Sequence, residues 1–304
     1  MVPVVSTISD VLLPFQISSG AYRGRLIRLG GALDAILDKH DYPLPVARLL
    51  AEALALAVAL AASLKFDGLF TLQVKGDGPV SMLVADVTSE GFLRGYARYD
   101  EDALAATILG TRDPVPALLG AGYLAFTVDQ GPDTERYQGI VELVGATLAE
   151  CIHDYFRRSE QLDTVLKTAV AAGGEGSAGW RAAALMLQRM PGGEDISAEQ
   201  IEEEWRHAVI LFSSATDQEL IDPTLPGARL LHRLFHADKL ALFERRGLEA
   251  RCRCSEDRVR TTLRSFPREE IEDLRDAAGD VVVTCEFCKT DYVFGPEKLD
   301  GLYL

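Results

Sequence analysis

Basic residues are scarce: 31 Lys and Arg stand against 46 Asp and Glu, a formal charge of −15 at pH 7. Phosphate recognition needs clustered Lys and Arg, so this balance argues against a nucleic-acid partner. It equally disfavours an anionic membrane surface. Cysteine is sparse too, with five in 304 residues, far too few for a disulfide scaffold. No apolar run is long enough to be a membrane span. The best candidate, Pro45 to Leu64, is uninterrupted only from Ala53 to Leu64, whereas a span needs about 20 apolar residues. A buried helix is expected there. Met1 to Asp10 lacks a basic stretch leading into an apolar one, unlike a secretory signal. A cytoplasmic setting is therefore expected, in which thiols stay reduced and clustered cysteines bind metal rather than form permanent disulfides. Neither a GxxxxGK[ST] phosphate cradle nor a GxSxG nucleophile elbow occurs.

What is present is apolar material for a real core, 48% of residues, with 25% charged. Periodicity predicts a helix over Gly30 to Lys39, a break at His40-Asp41-Tyr42-Pro43, and then the Ala/Leu helix. From Gly68 the period becomes two. Strands are expected at Phe70 to Val74, Val80 to Val87, Phe92 to Tyr99 and Tyr123 to Asp129, and the short connections favour antiparallel pairing. Thr147-Leu-Ala-Glu150 has the capping-box form and opens a helix through Phe156. Leu162 to Val170 and Ala182 to Gln188 read as two further strands around the glycine-rich stretch Gly173 to Gly179. Helices packed on a largely antiparallel sheet make an α+β core, placed at residues 1–193.

Beyond it the composition turns acidic. Ser197-Ala-Glu-Gln200 is another capping box, with Ile201, Trp205, Ala208 and Phe212 at helical spacing and a thicker apolar run at Val209-Ile210-Leu211. A second amphipathic helix runs through Leu230, Leu231, Leu234 and Phe235. Residues 194–247 thus form a helical linker. Its apolar face, Trp205 with Val209, Ile210, Leu211 and Phe212, is too large to be left in water and is expected to pack on the core sheet.

Four of the five cysteines form a CxC, Cys252 and Cys254, and a CxxC, Cys285 and Cys288. Four thiolates at this spacing can converge tetrahedrally on one Zn2+; the alternative is two unrelated pairs of structural thiols. Strands are expected at Val281 to Thr284 and Tyr292 to Phe294 on either side of the CxxC. So small a unit, residues 248–304, has little core of its own and should depend on metal. Adjacent thiolates in a CxC are also a ready disulfide couple, and Arg251 and Arg253 should favour the thiolate form. Cys151 reads as a buried small hydrophobe.

At these residues the chain resembles the 33-kilodalton heat-shock protein family, redox-switched bacterial chaperones. The resemblance rests on His40-Asp-Tyr-Pro-Leu-Pro45, Leu64-Lys-Phe-Asp-Gly68, Gly76-Asp-Gly-Pro79, Glu135-Arg-Tyr-Gln-Gly139, Tyr155-Phe-Arg-Arg-Ser-Glu-Gln-Leu162, Leu187-Gln-Arg-Met-Pro191 and both cysteine pairs. It implies a non-enzymatic, ATP-independent holdase, activated by oxidants, that binds unfolding client proteins and dimerises when active. It implies zinc held by the reduced cysteines and released as disulfides form. The pairing it points to is Cys252–Cys254 and Cys285–Cys288, which also have the highest effective concentration for each other. The linker would be packed away when inactive and released on activation. One departure is Lys289, where relatives often have glycine; if the position needs positive φ, lysine costs about 1–2 kcal/mol. A zinc-ribbon module binding protein or nucleic acid, and a thiol-disulfide oxidoreductase, remain as other classes.

Other motifs carry less. Gly174-Glu-Gly-Ser-Ala-Gly179 satisfies GxGxxG but lies between two strands rather than in a βαβ unit. His232 and His236 stand one turn apart without the glutamate of a metalloprotease and are expected on a helix surface.

Overall fold

The computed structural model describes residues 10–107, 113–131, 134, 136–173, 179–191 and 198–302. The chain divides into two compact units, Met1–Ala250 and Arg251–Leu304. The first opens with β1 (Val11–Ile17), β2 (Tyr22–Leu29), α1 (Gly31–Leu37) and α2 (Leu44–Ala61). Strands β3 (Leu69–Gly76), β4 (Val80–Thr88) and β5 (Phe92–Tyr99) follow, then α3 (Glu101–Ala106), β6 (Gly122–Asp129), β7 (Tyr137–Glu142) and α4 (Leu148–Tyr155). After β8 (Thr164–Ala171) and β9 (Arg181–Arg189) come α5 (Ala198–Ser213), α6 (Asp217–Ile221) and α7 (Gly227–Phe235). Three two-residue strands, β10 (Ala241–Leu242), β11 (Arg246–Gly247) and β12 (Glu249–Ala250), close the unit.

Among the described residues the antiparallel α+β core divides its strands between two six-stranded sheets. One runs β10-β1-β2-β9-β8, with β11 also on β1; the other runs β12-β5-β4-β3-β6-β7. Every pairing is antiparallel except β12 on β5. Helix α2 packs against strands of both sheets. Every residue from Leu49 to Ala61 is buried, which is why this helix, Arg48 and Glu52 apart, is apolar all round. The run that imitates a membrane span is the interior helix of this fold.

The first sheet is covered on both faces. On β9, Ala182, Ala184 and Met186 point into the cluster around α2, while Ala183, Leu185 and Leu187 point into a second cluster built with α5, α6 and α7. Alternation therefore disappears from the sequence of β9, as it must when both sides are dry. Strand β2 divides likewise, Ile27 and Leu29 against Tyr22 and Leu26. Strands β1 and β2 escape sequence detection for this reason, and because Pro14 interrupts β1, a residue that argues against a strand interior.

Thr147 caps α4 by accepting the Glu150 N–H at 3.2 Å. The Glu150 carboxylate, however, accepts from Ala146 N–H at 2.8 Å rather than closing a box on Thr147. The Ser197 cap and the GxGxxG positions 174–178 lie outside the described residues. A complete capping box occurs instead at Thr216 and Glu219, opening α6.

The second unit contains α8 (Glu256–Leu263), α9 (Arg268–Glu272), the hairpin β13 (Val281–Thr284) and β14 (Asp291–Phe294), and α10 (Pro296–Asp300). Its core is small: Leu263, Ile271, Val281, Phe294, Leu299 and Leu302.

Candidate metal centre

Cys252 and Cys254 lie in the extended segment before α8, whose N-cap is Ser255. Cys285 and Cys288 lie in the turn of the β13–β14 hairpin. That turn is closed by Lys289 N–H donating to Cys285 O at 2.8 Å and Cys285 N–H donating to Thr290 O at 2.9 Å. Lys289 takes φ 55°, so this position is left-handed and lysine carries the strain that glycine would avoid.

All four Sγ atoms lie within 4.8 Å of one another. Cys252 Sγ is 3.7 Å from Cys285 Sγ, and Cys254 Sγ is 3.4 Å from Cys288 Sγ. Four sulfurs at about 2.3 Å from a central zinc sit about 3.8 Å apart in a regular tetrahedron, so this donor set fits the ion. The spacing is far from the roughly 2.05 Å of a disulfide, and all five cysteines are free thiols. The four are half-buried, which leaves them open to a small oxidant.

The thiols differ. Burial pushes Cys254 up to about 12, against the pull of the Tyr292 hydroxyl, which donates to its Sγ at 3.1 Å. Burial raises Cys285 as well. Burial opposes ionisation of Cys288 too, but hydrogen bonds from the Thr290 hydroxyl and backbone outweigh it and lower this thiol to about 6. Cys254 is raised rather than lowered, so the thiolate-favouring pull expected of Arg251 and Arg253 does not prevail at this thiol. Cys151 is fully buried, and burial raises its thiol to about 11, a position suited to packing rather than redox chemistry.

The linker residues separate. Trp205 lies against Tyr22 with ring centroids 5.6 Å apart, Phe212 is buried, and Leu211 packs on the same cluster. Val209 is half-buried. Ile210 is a correction to the expected packed run: it is 62% exposed, because a continuous triplet on a helix cannot all face one side. His232 and His236 are exposed on α7, their rings stacked 5.5 Å apart.

Two residues that fasten the linker carry no sequence signal. Arg28, buried in β2, donates to the carbonyls of Glu219 at 2.7 Å, Asp222 at 3.4 Å and Leu225. Lys167 on β8 donates to Ala215 O at 2.6 Å. Lys167 also pairs with the Asp217 carboxylate at 3.3 Å, but the carbonyl partners leave no residue type to read.

Comparison with known proteins agrees with this architecture. The family model described as Hsp33 protein matches residues 10–295. The 33 kDa chaperonin of Caulobacter vibrioides is 43% identical over 296 residues, covering 97% of each chain. That of Ectopseudomonas mendocina is 38% identical over 282 residues, covering 92% of this chain and 90% of the relative. The crystal structure of the 33 kDa chaperonin of Thermotoga maritima shares the fold, with a TM-score of 0.80 at 22% identity over 96% of this chain and 97% of that one. With a model match from end to end of the sheet core and through the cysteine hairpin, the chain belongs to the Hsp33 family.

Proposed function

We propose that this protein is an ATP-independent cytoplasmic holdase that is switched on by oxidation of its cysteines and keeps unfolding proteins from aggregating. The observation that carries the reading is the four-sulfur cluster in a chain of the Hsp33 family. In this reading residues 1–193 are the chaperone core, 194–247 the gating linker and 248–304 the redox switch.

Cys252, Cys254, Cys285 and Cys288 would hold one Zn2+. Bound there, the ion ties the segment before α8 to the β13–β14 turn and supplies roughly 10–16 kcal/mol of apparent folding free energy at neutral pH. A core of six fully buried side chains among the described residues is too small to replace that contribution. Forming each disulfide, Cys252–Cys254 and Cys285–Cys288, removes two electrons from a pair of thiolates, and the two protons that peroxide takes up come from water. Peroxide as oxidant leaves as two waters. Disulfide formation consumes the thiolates, and with them the donor set that retains the ion, so zinc release and unfolding of the unit accompany oxidation.

The chain on the other side of Cys252 then loses its anchor. Strands β10, β11 and β12 hold to the sheets by only two residues each. As they fray, α5 to α7 detach, uncovering Trp205, Leu211 and Phe212 together with the sheet face of Phe15, Ile17, Tyr22 and Leu26. Exposed apolar surface of this kind binds unfolding clients, while the acidic faces of the linker keep the open form soluble. Active protein dimerises.

Light scattering from a thermally unfolding client tests the reading. Oxidised protein is expected to suppress aggregation and reduced, zinc-loaded protein to leave it unchanged. Equal protection by both states overturns the switch, and catalytic turnover in insulin reduction would favour an oxidoreductase instead.

A further inference from the structure

A sheet edge is a row of unpaired backbone donors and acceptors, and proteins that avoid unwanted pairing cover it or guard it with charge or proline. The two six-stranded sheets have four edges, and three of these are at least partly covered or carry basic residues among the described residues. Strand β1 is covered by β11 at Val11 and Leu12 and by β10 at Phe15 and Gln16, and β5 by β12 at Phe92 and Leu93, the rest of β5 carrying Arg94 and Arg98. Strand β8 carries Lys167 and packs against α6. The fourth edge, β7, reads Tyr-Gln-Gly-Ile-Val-Glu, with no lysine, arginine or proline and a single charge at its end, Glu142. It pairs with β6 alone among the described residues.

The ladder identifies the open groups. Leu143 N–H donates to Gly122 O at 3.0 Å, and the β6–β7 register pairs Val141 with Leu124, Gly139 with Phe126 and Tyr137 with Val128. Hydrogen-bonded and non-bonded pairs alternate in an antiparallel ladder. Tyr137, Gly139 and Val141 therefore bond to β6, whereas the N–H and C=O groups of Gln138 and Ile140 point away from it. Those two residues are spaced as an added strand requires.

Two exposed apolar side chains stand beside them, on a face that also carries Gln138 and Glu142. Ile140 is 62% exposed and Tyr123, on the neighbouring strand, 37%. Both lie on the sheet face opposite buried Leu124 and Phe126, because Ile140 sits across from Ala125.

We infer that β7 is a second client site, where an extended, apolar segment of an unfolded polypeptide adds as a further strand, bonding to Gln138 and Ile140 and laying alternate side chains on Ile140 and Tyr123. The occupant follows from the groups on offer: backbone amides at strand spacing match only an extended peptide, and Ile140 with Tyr123 offers its side chains an apolar contact between Gln138 and Glu142. The inference rests on the chaperone reading and adds to it a site that the linker does not form.

The test uses oxidised full-length protein and a permanently unfolded probe, reduced and carboxymethylated lysozyme. Hydrogen–deuterium exchange is read on peptides spanning residues 137–143, with and without the probe. Bound probe is expected to slow exchange there at least tenfold. Ile140→Pro removes an outward N–H, and Ile140→Lys places a charge on the edge; each is expected to weaken probe binding about tenfold. Should the proline variant fail to fold, Ile140→Lys, altered at an exposed side chain, decides alone. Probe bound with no slowing, or with full affinity in the lysine variant, overturns the inference and leaves the chaperone reading standing. Slowing that depends on protein concentration and not on probe overturns it in favour of a second copy at the edge. If oxidised wild-type protein binds no probe at all, the chaperone reading falls and this site with it.

Discussion

The guanidinium of Arg28 in β2 lies 2.7 Å from the carbonyl oxygen of Glu219, tying the core sheet to the end of α6. Arg28 is 2% exposed, and its recorded partners are three carbonyls of the linker. Arg28→Ala leaves those carbonyls without a buried donor, at a cost of about 3 kcal/mol. Reduced, zinc-loaded variant is expected to suppress client aggregation without oxidant. Light scattering with parallel zinc assay checks it; a folded variant that protects no client removes Arg28 from the latch.

Phe212 and Ile210 are two residues apart and opposite in burial, so they separate packing from position. Phe212→Asp buries a charge without a partner, costing several kcal/mol, and should release α5 in the reduced protein, seen as a change in Trp205 fluorescence and a gain of chaperone activity. Ile210→Asp, on the solvent side, should change stability by no more than about 0.5 kcal/mol and leave the protein inactive until oxidised. Equal behaviour of the two variants would contradict the gate.

Reduced protein should contain one zinc per chain by elemental analysis, and Cys285→Ser should hold little or none. Chelation should make residues 251–302 protease-sensitive while the sheets of the first unit stay protected. A wild-type stoichiometry near zero sinks the metal assignment.

Peptide mapping of oxidised protein should recover Cys252–Cys254 and Cys285–Cys288, with Cys151 still a thiol. The short sulfur distances across the motifs, Cys252 to Cys285 and Cys254 to Cys288, make cross-motif bridges the informative competing outcome.

Glu52 lies buried in α2, where Thr168 Oγ1 donates to its carboxyl at 3.0 Å. Burial raises its pKa, with the Thr168 bond opposing. An acid whose folded pKa is raised binds its proton more tightly folded than unfolded. Its presence therefore costs progressively more stability as pH rises from its unfolded value, about 4.3, toward the raised folded one. Glu52→Gln should gain stability relative to wild type as pH climbs from 5 to 8. Urea melts of the reduced, zinc-loaded protein across that range check the sign; a gap that narrows with pH contradicts it.

Legibility in sequence followed solvent exposure and residue chemistry. Helix α1 and strands β3 to β6 announced themselves by their pattern, α2 by its uninterrupted apolar run, and β8 and β9 because glycine bounded them. Strands β1 and β2 did not, being dry on both faces and broken by Pro14. Strand β7 is mostly exposed and so offers no clear alternation, and β10 to β12 are too short to carry a period. The cysteine cluster was visible because metal chemistry restricts residue type and spacing together. The contacts of Arg28, and that of Lys167 with Ala215, were invisible because their partners are carbonyl groups, which every residue has.

The two apolar clusters back to back across the β1-β2-β9-β8 sheet also bear on how the molecule melts. Removing the linker costs the sheet one face only, so the cluster around α2 keeps its own cooperativity. Calorimetry of the reduced protein should then resolve more than one transition, with a measured enthalpy larger than the van't Hoff value. A holder built this way can surrender part of its own fold to a client and still have a folded body from which to recover it.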